Sequence, residues 1–174
     1  MRRHSAATLS FFVSVFVVVA NRPATPGPDF WTSSGLRGRV TRLVIAPSNP
    51  KVLYAYHFEE GAVLKSTDAG SNWTQVLTDV AVSALGVHPS SPDIVVVSGY
   101  SHLSGSGVVL RSNDGGTGWY ETDIGEFTDP NEIFAVQFHP ANPDTIDLVG
   151  LHGIYRSVDG GTTWSDIAAD ICFT

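Results

Sequence analysis

The sequence predicts an all-β protein assembled from repeated four-stranded antiparallel sheets, and three observations lead to this. The pattern S-x-D-x-G-x-x-W occurs three times, with Asp68, Asp114 and Asp159 following one another at intervals of 46 and 45 residues. Self-similarity at a period of roughly 20–50 residues marks a repeat architecture. Each repeat contains four short runs rich in β-branched and aromatic residues, bounded by Pro, Gly, Asn and Asp. No segment of useful length has a helical period.

The three units span residues 39–77, 82–122 and 133–167 and are predicted to share one order of strands and turns. The predicted strands are 39–46, 52–56, 62–66 and 73–77 in the first unit, 82–87, 94–97, 108–112 and 119–122 in the second, and 133–138, 145–149, 153–157 and 164–167 in the third. The second unit has an insertion at residues 98–107, predicted as a loop. Four strands per unit of this length are typical of a β-propeller blade, and a β-sandwich is the alternative.

The octets themselves are predicted to be hairpin turns held shut by their own side chains. Glycine supplies the positive φ that a tight turn needs, the Asp carboxylate accepts backbone N–H groups, and the Trp ring packs between neighbouring hairpins. The predicted structural positions are Ser66, Asp68, Gly70, Trp73, Ser112, Asp114, Gly116, Trp119, Ser157, Asp159, Gly161 and Trp164. Calcium binding is the alternative, but each turn offers one carboxylate where EF-hand loops use several. The clamp interpretation is therefore favoured.

These octets resemble the Asp box, or BNR repeat, of sialidases, of the sortilin family and of secreted sialidase-like β-propellers. The resemblance covers about residues 35–167 and implies a propeller in which the box is structural. The sequence departs from the pattern at Asn72 and Gly118, where Thr or a similar residue is usual. Because the box is structural throughout these families, the resemblance is specific for the architecture and weak for any one activity.

The resemblance implies a non-catalytic binding or scaffold module. Sialidases add an arginine cluster and a Tyr–Glu pair, and the arginine-bearing motif is not recognisable here. Xyloglucan-cleaving relatives place a catalytic Asp just after the second strand of the first blade, where this chain has residues 56–59 without an Asp. The alternative function is a fragment of a glycoside hydrolase, sialidase-like or xyloglucanase-like, acting on extracellular glycans. No catalytic residue and no cofactor are predicted.

Three blades are fewer than a propeller needs, because propellers close with about 4–8 blades. Three explanations are open: a fragment of a larger propeller, self-association of several copies, or an arc capped by another chain. Cys172 is the only cysteine and lies near the end of the chain, so its thiol is free, awaits a partner or is a small buried apolar group. This cysteine and the end of the chain soon after the third box favour a fragment.

Residues 1–20 are predicted to be a secretory signal peptide. Arg2 and Arg3 precede the apolar run 11–19, and Ala20 ends a cleavage site before Asn21; a retained signal anchor is the alternative. Residues 21–29, with three prolines, are predicted as a linker to the segment 30–174. We expect an extracellular protein without stable membrane insertion after cleavage. The net charge of −7 argues against nucleic acid as a partner.

The strand order predicts which loops share a face. Proline turns and octets lie on one face, and the loops between second and third strands lie on the other, which carries the ligand or active site in the resembled families. The candidate ligand-face residues are Glu59, Glu60, Tyr100, His102, Asp123, Glu126, Asp129 and His152. They suit a carbohydrate or a peptide ligand, and the alternative is that each is simply solvated.

Two further patterns, a pair of His-Pro sequences and an N-x-T sequence, do not point to catalysis. His88 and His139 each precede a proline in the same register and are interpreted as turn residues, so no metal site is predicted. Asn72 begins an N-x-T sequence and is a glycosylation candidate.

Overall fold

The computed structural model describes residues 36, 38–122, 124, 133–151 and 153–167; the predicted signal peptide, the linker and Cys172 lie outside this part. The strands are β1 (Val40–Ile45), β2 (Leu53–His57), β3 (Ala62–Ser66), β4 (Thr74–Leu77), β5 (Val80–Val87), β6 (Val95–Ser101), β7 (Ser106–Ser112), β8 (Tyr120–Glu121), β9 (Ile133–Phe138), β10 (Ile146–Gly150), β11 (Gly153–Ser157) and β12 (Ser165–Asp166). The described residues contain no helix, and hence none that could cross a membrane.

The strands form three four-stranded antiparallel sheets, each built from consecutive strands: β1–β4, β5–β8 and β9–β12. The first strand of each sheet lies beside the first strand of the next, because β1 contacts β5 and β5 contacts β9. Successive up-and-down sheets that meet along their first strands have the arrangement of propeller blades. The predicted fold class, all-β with propeller blades in an incomplete ring, is confirmed.

Two apolar layers hold the sheets together, one at each junction. The first junction, between sheets one and two, buries Tyr54 and Tyr56 against residues such as Val95 and Val97. The second junction, between sheets two and three, buries Val96 with residues of sheet three. Because successive strand residues point to opposite faces, β6 supplies both layers, and its apolar run Val95, Val96 and Val97 is buried on both faces.

The outward faces of the first and third sheets have no further described sheet beside them and expose apolar side chains. On β1, Leu43 and Ile45 are 56% and 52% exposed. On the third sheet, Phe134, Val149 and Ile167 are also exposed. A scattered exposed apolar residue is ordinary, but two open sheet faces are what an unclosed arc of blades presents.

The segment 98–107 departs from its prediction as a loop. β6 continues to Ser101 and β7 begins at Ser106, so the insertion lengthens a hairpin and leaves only residues 102–105 as a turn. Its Ser and Gly content suggested a loop, but Gly99 is small for a packing reason. A Cβ there would lie 2.3 Å from the carbonyl oxygen of Ala81, so glycine lets β5 approach closely.

The last strand of the second and third sheets is shorter than predicted. β8 and β12 each contain two residues, where the sequence predicted four. These outer strands pair on one side only, with β7 and β11 respectively.

Candidate functional site

Each of the three S-x-D-x-G-x-x-W octets, which we call boxes, is a closed turn in which the Ser hydroxyl and the Asp carboxylate accept backbone N–H groups. In the first box, Ser66 Oγ donates to Asp68 Oδ1 at 2.9 Å and accepts from the Gly70 N–H at 2.9 Å. The Ser112 and Ser157 hydroxyls make the same two bonds in the other boxes. The glycines whose N–H groups donate to the Ser hydroxyls, Gly70, Gly116 and Gly161, have φ between 89° and 96°, a region that favours glycine.

The boxes differ at the residue before the Trp. Asn72 donates its side-chain amide to Asp68 Oδ2 at 2.6 Å, and Thr163 donates its hydroxyl to Asp159 Oδ2, also at 2.6 Å. Gly118 has only its backbone N–H, which donates to Asp114 Oδ1 at 2.9 Å. The central box therefore holds its carboxylate with one side-chain donor fewer than the outer two.

These bonds set the protonation of the three carboxylates, because donors to an ionised carboxylate favour that form. The Asn72 side chain lowers the pKa of Asp68 from 3.8 to about 2. The Thr163 hydroxyl lowers the pKa of Asp159 well below its usual value. The Gly118 N–H lowers the pKa of Asp114. Each carboxylate is thus ionised at neutral pH and accepts hydrogen bonds from donors of its own turn.

The boxes and the proline turns lie on the same face of the arc. The backbone N–H that follows each box Asp donates to a carbonyl in the proline turn: Ala69 to Lys51 at 2.9 Å, Gly115 to Asp93 at 2.9 Å and Gly160 to Asp144 at 2.8 Å. A bond repeated in every sheet ties the two turns into one unit. This face is therefore a rigid scaffold.

The histidines of the proline turns accept backbone donors. His88 Nδ1 accepts from the N–H groups of Ser90 and Ser91, both at 3.1 Å, and His139 Nδ1 accepts from that of Asn142 at 3.2 Å. Within the described ranges, no three His, Cys, Asp or Glu side chains cluster in a way that could hold a metal ion. Both rings thus support their turns.

The tryptophans that end the boxes are half-buried and use their indole N–H groups differently. Trp119 donates across the first junction to the carbonyl of Val76 at 2.8 Å, whereas Trp73 donates within its own turn to Gly70 at 2.9 Å. Trp164 packs against the second core layer, and its buried Nε1 has no hydrogen-bond partner in the described structure. The three boxes are therefore not equivalent where they meet the neighbouring sheet.

On the opposite face, the β2–β3 turn presents an aromatic ring with charged groups around it. Phe58 is 50% exposed, and the guanidinium of Arg39 lies 3.6 Å from its ring centre. Glu59 Oε2 accepts the backbone N–H of Arg39 at 2.7 Å, and this bond lowers the pKa of Glu59. Arg39, Phe58 and Glu59 form what we call the Arg39–Phe58 platform. The sequence marked Glu59 but missed the other two, whose only signal is an aromatic residue beside charges in a tight turn.

The candidates of the second sheet form a separate group at the same face. Tyr100 lies within β6, not in a loop as predicted, and its ring meets that of His102 edge to face at 5.6 Å. Leu103, at the tip of this hairpin, is 83% exposed. Glu60 is exposed beside the platform. Asp123, Glu126, Asp129 and His152 lie outside the described residues.

Asn72, the glycosylation candidate, is exposed on the box face together with Thr74. Its amide nitrogen already donates to Asp68, so a glycan at this atom would have to coexist with the turn's own bond.

Comparison with known proteins supports the architecture. The sequence matches no protein-family model, and a search of curated proteins finds no match. Among solved structures, an ancestral GH74 enzyme has a TM-score of 0.61 at 22% identity, over 76% of this chain and 19% of that one. The GH74 enzyme of Niastella koreensis has a TM-score of 0.60 at 28% identity, over 75% and 23%. YCF48 from Cyanidioschyzon merolae has a TM-score of 0.56 at 23% identity, over 74% and 36%.

These neighbours are β-propeller proteins, and the described part of the chain shares their fold. The chain spans about a fifth of the length of the GH74 enzymes that it resembles. At these identities the likeness is one of architecture, and the chemistry of the chain has to be argued from its own residues.

Proposed function

We propose that the chain is a non-catalytic binding module of an Asp-box propeller, of the sialidase-like and sortilin-like kind, that works outside the cell. The observation that carries this proposal is the Arg39–Phe58 platform on the face opposite the boxes. A half-exposed ring, a cation and an ionised carboxylate in one turn are groups that hold a ligand.

The state of Glu59 supports a binding role over catalysis. A glycosidase needs one carboxylic acid whose pKa is raised, so that it can protonate the leaving oxygen. The Arg39 N–H instead lowers the pKa of Glu59 and fixes its carboxylate in place. Glu59 is therefore suited to hold a ligand and poorly suited to donate a proton.

The ligand that we propose is a peptide or a carbohydrate. Aromatic rings with neighbouring charges contact both classes, and a net charge of −7 favours a basic peptide. YCF48 has been solved bound to a D1 peptide, so a propeller of this general shape can hold a peptide.

The test is binding of the purified chain to immobilised basic peptides and to xyloglucan oligosaccharides. Phe58→Ala should weaken binding about tenfold, as loss of an aromatic anchor does. Val158→Ala, which truncates an exposed apolar residue of the third box, is the matched control and should leave binding unchanged. Equal binding by both variants would remove the platform from the proposal, and the ligand class that binds identifies the partner.

A second candidate function is a segment of a glycoside hydrolase, favoured by the likeness to GH74 enzymes at TM-scores of 0.60 and 0.61. Release of reducing ends from xyloglucan by the purified chain decides between them: we expect none, and measurable turnover would establish the hydrolase.

Secretion and ring closure are also parts of the proposal. Export should be accompanied by cleavage after Ala20, which mass spectrometry of the exported chain would detect as a new terminus at Asn21. A closed propeller would require further blades from a longer protein or from another copy, packed on the open faces that carry Ile45 and Val149.

A further inference from the structure

The second junction contains a cleft on its outer side. The cleft has a volume of about 240 Å³ and lies between the last strand of sheet two and the box of sheet three. It is lined by Arg111, Asn113, Tyr120, Glu121, Thr122, Gly161 and Thr162. A pocket for a drug-sized ligand has a volume of roughly 300–1,000 Å³. This cleft is smaller, so it can hold one polar functional group of a ligand and the few atoms bonded to that group.

Two buried donors at this junction lack acceptors. Within the described part of the chain, Arg111 Nε and Trp164 Nε1 are buried without a hydrogen-bond partner. Their counterparts at the first junction are satisfied: Lys65 donates to Asp93 at 2.9 Å, and Trp119 donates to Val76. Native structures almost always satisfy such groups, with protein, water or a ligand.

No described ion pair supplies the missing acceptor. Asp144 follows Pro143 as Asp93 follows Pro92, and its carboxylate lies near the Arg111 guanidinium: a Cβ on Gly160 would be 3.7 Å from Asp144 Oδ1 and 3.5 Å from Arg111 Nη2. The described contacts nevertheless include no ion pair between the two side chains. Glu121 also lines the cleft, but it pairs with Leu110, which packs towards the first junction. Because paired residues share a face of the sheet, the Glu121 carboxylate is directed away from Arg111.

One residue difference between equivalent positions of the first and second sheets explains why the cleft is open. At the first junction, Val76 fills this position so closely that a Cβ on Gly116 would lie 2.6 Å from it. At the second junction Thr122 replaces Val76, and its hydroxyl turns to the carbonyl of Val109 at 3.4 Å. A Cβ on Gly161 would find its nearest neighbours at 3.5 Å. The space above Gly161 can therefore hold one further carbon atom in ordinary contact with its neighbours, whereas that above Gly116 cannot.

We propose that this cleft binds a carboxylate group, with the Arg111 guanidinium as its cation. Of the two donors without partners, Arg111 lines the cleft, so the ligand must bring an acceptor, and a planar guanidinium matches a planar carboxylate. Thr162, whose hydroxyl donates to the carbonyl of Asp159 at 3.1 Å, also lines the cleft, and Tyr120, directly opposite Arg111 in the sheet, forms one wall. The site lies on the side of the arc and is independent of the Arg39–Phe58 platform.

The carboxylate can come from an acidic side chain or from a sugar acid, and the test distinguishes them. The full chain is titrated with acetyl-L-aspartate and with D-glucuronate, while NMR follows the Arg111 Nε–H and the Trp indole signals. Either acid should move the Arg111 signal at millimolar concentration, and the tighter one identifies the source. N-acetyl-L-asparagine amide and D-glucose, which carry no carboxylate, are the neutral controls. No shift with either acid, or equal shifts with the controls, would overturn the proposal.

Two variants and a control tie the binding to the cleft. Arg111→Gln should weaken carboxylate binding about tenfold or more, because it removes a charged donor. Thr122→Val restores the side chain of the first junction and should weaken binding without changing charge. Lys51→Gln makes the same charge change as Arg111→Gln at an exposed turn and should have no effect. If Arg111→Gln does not fold, Thr122→Val decides, and unchanged affinity in that variant would refute the site.

Discussion

The central sheet and the third sheet are built from the same repeat but differ in how their middle strands are used. In β6, Val95, Val96 and Val97 are all fully buried, since a sheet packs on each side. In β10, Ile146 and Leu148 face the second junction and are fully buried, whereas Asp147 takes the place of Val96 on the other face. In a middle strand whose sheet packs against one other sheet, buried and less buried side chains alternate. In a middle strand whose sheet packs against two other sheets, successive side chains are all buried.

The partner of the cationic residue that precedes each box also depends on whether a neighbouring sheet is present. Lys65 reaches forward to Asp93 in the next sheet at 2.9 Å. Arg156, with no described sheet beyond it, turns back to Asp147 in its own sheet through bonds of 2.6 and 2.7 Å. In repeat proteins the stability of a unit is the sum of its own contribution and of its interfaces. The comparison therefore indicates that each sheet depends on its junctions for part of its stability.

The largest expected effect comes from comparing two adjacent residues on β10. Leu148→Ala should lower the free energy of unfolding by about 2–5 kcal/mol, because it leaves a cavity in the second junction. Val149→Ala, on the outward face, should change it by about 0.5 kcal/mol or less. Urea denaturation of both variants is the measurement. Equal costs would show that the outward face is covered in solution.

The two junctions should respond differently to loss of an indole N–H. Trp119→Phe should cost about 1 kcal/mol or more beyond any loss of packing, because the carbonyl of Val76 loses its donor. Trp164→Phe removes a donor that has no described partner, so it should lack this cost. Thermal melts of the two variants test the difference. A larger loss for Trp164→Phe would indicate a hidden acceptor.

A smaller gain is expected from giving the central box the side chain of the third. Gly118 has no positive φ, and a Cβ there would lie 3.2 Å from Asp114 Oδ2, so Thr can be accommodated with a small shift. Gly118→Thr should stabilise the chain by about 0.5–1 kcal/mol, mainly by restricting the unfolded chain. Chemical denaturation measures the gain, and Gly118→Ala separates it from that of the added hydroxyl. Destabilisation would show that the central box cannot tolerate a side chain.

The smallest effect is a dependence of stability on acid. The folded pKa of Asp68 is about 2, below its usual 3.8, so its contribution is complete above about pH 4 and is lost as the pH falls towards 2. The pKa of Asp159 is also lowered, and it acts in the same direction. Unfolding by urea between pH 2 and pH 5 should therefore show declining stability, with a smaller slope in Asp68→Asn/Asp159→Asn. An unchanged slope in that variant would assign the acid sensitivity to other groups.

Several features were predictable from the sequence because they arise from contacts between near neighbours. The strands Ala62–Ser66, Ile133–Phe138 and Gly153–Ser157 have the predicted bounds. Prediction was wrong at residues 98–107, where the β6–β7 hairpin and pairing of β6 with β5 make Ser and Gly strand residues. It also missed Arg39 and Phe58 as a pair, because they are brought together by strand pairing and not by a local motif.

The sequence by itself determined the three box turns, since Ser, Asp and Gly complete their hydrogen bonds within eight residues. Only the tertiary structure decided which indole finds an acceptor and which cationic side chain finds a carboxylate. Those partners lie on the neighbouring sheet: Trp119 is 43 residues from Val76, and Lys65 is 28 residues from Asp93. Local chemistry specifies a turn, and the packing of one sheet on the next decides what remains available to bind.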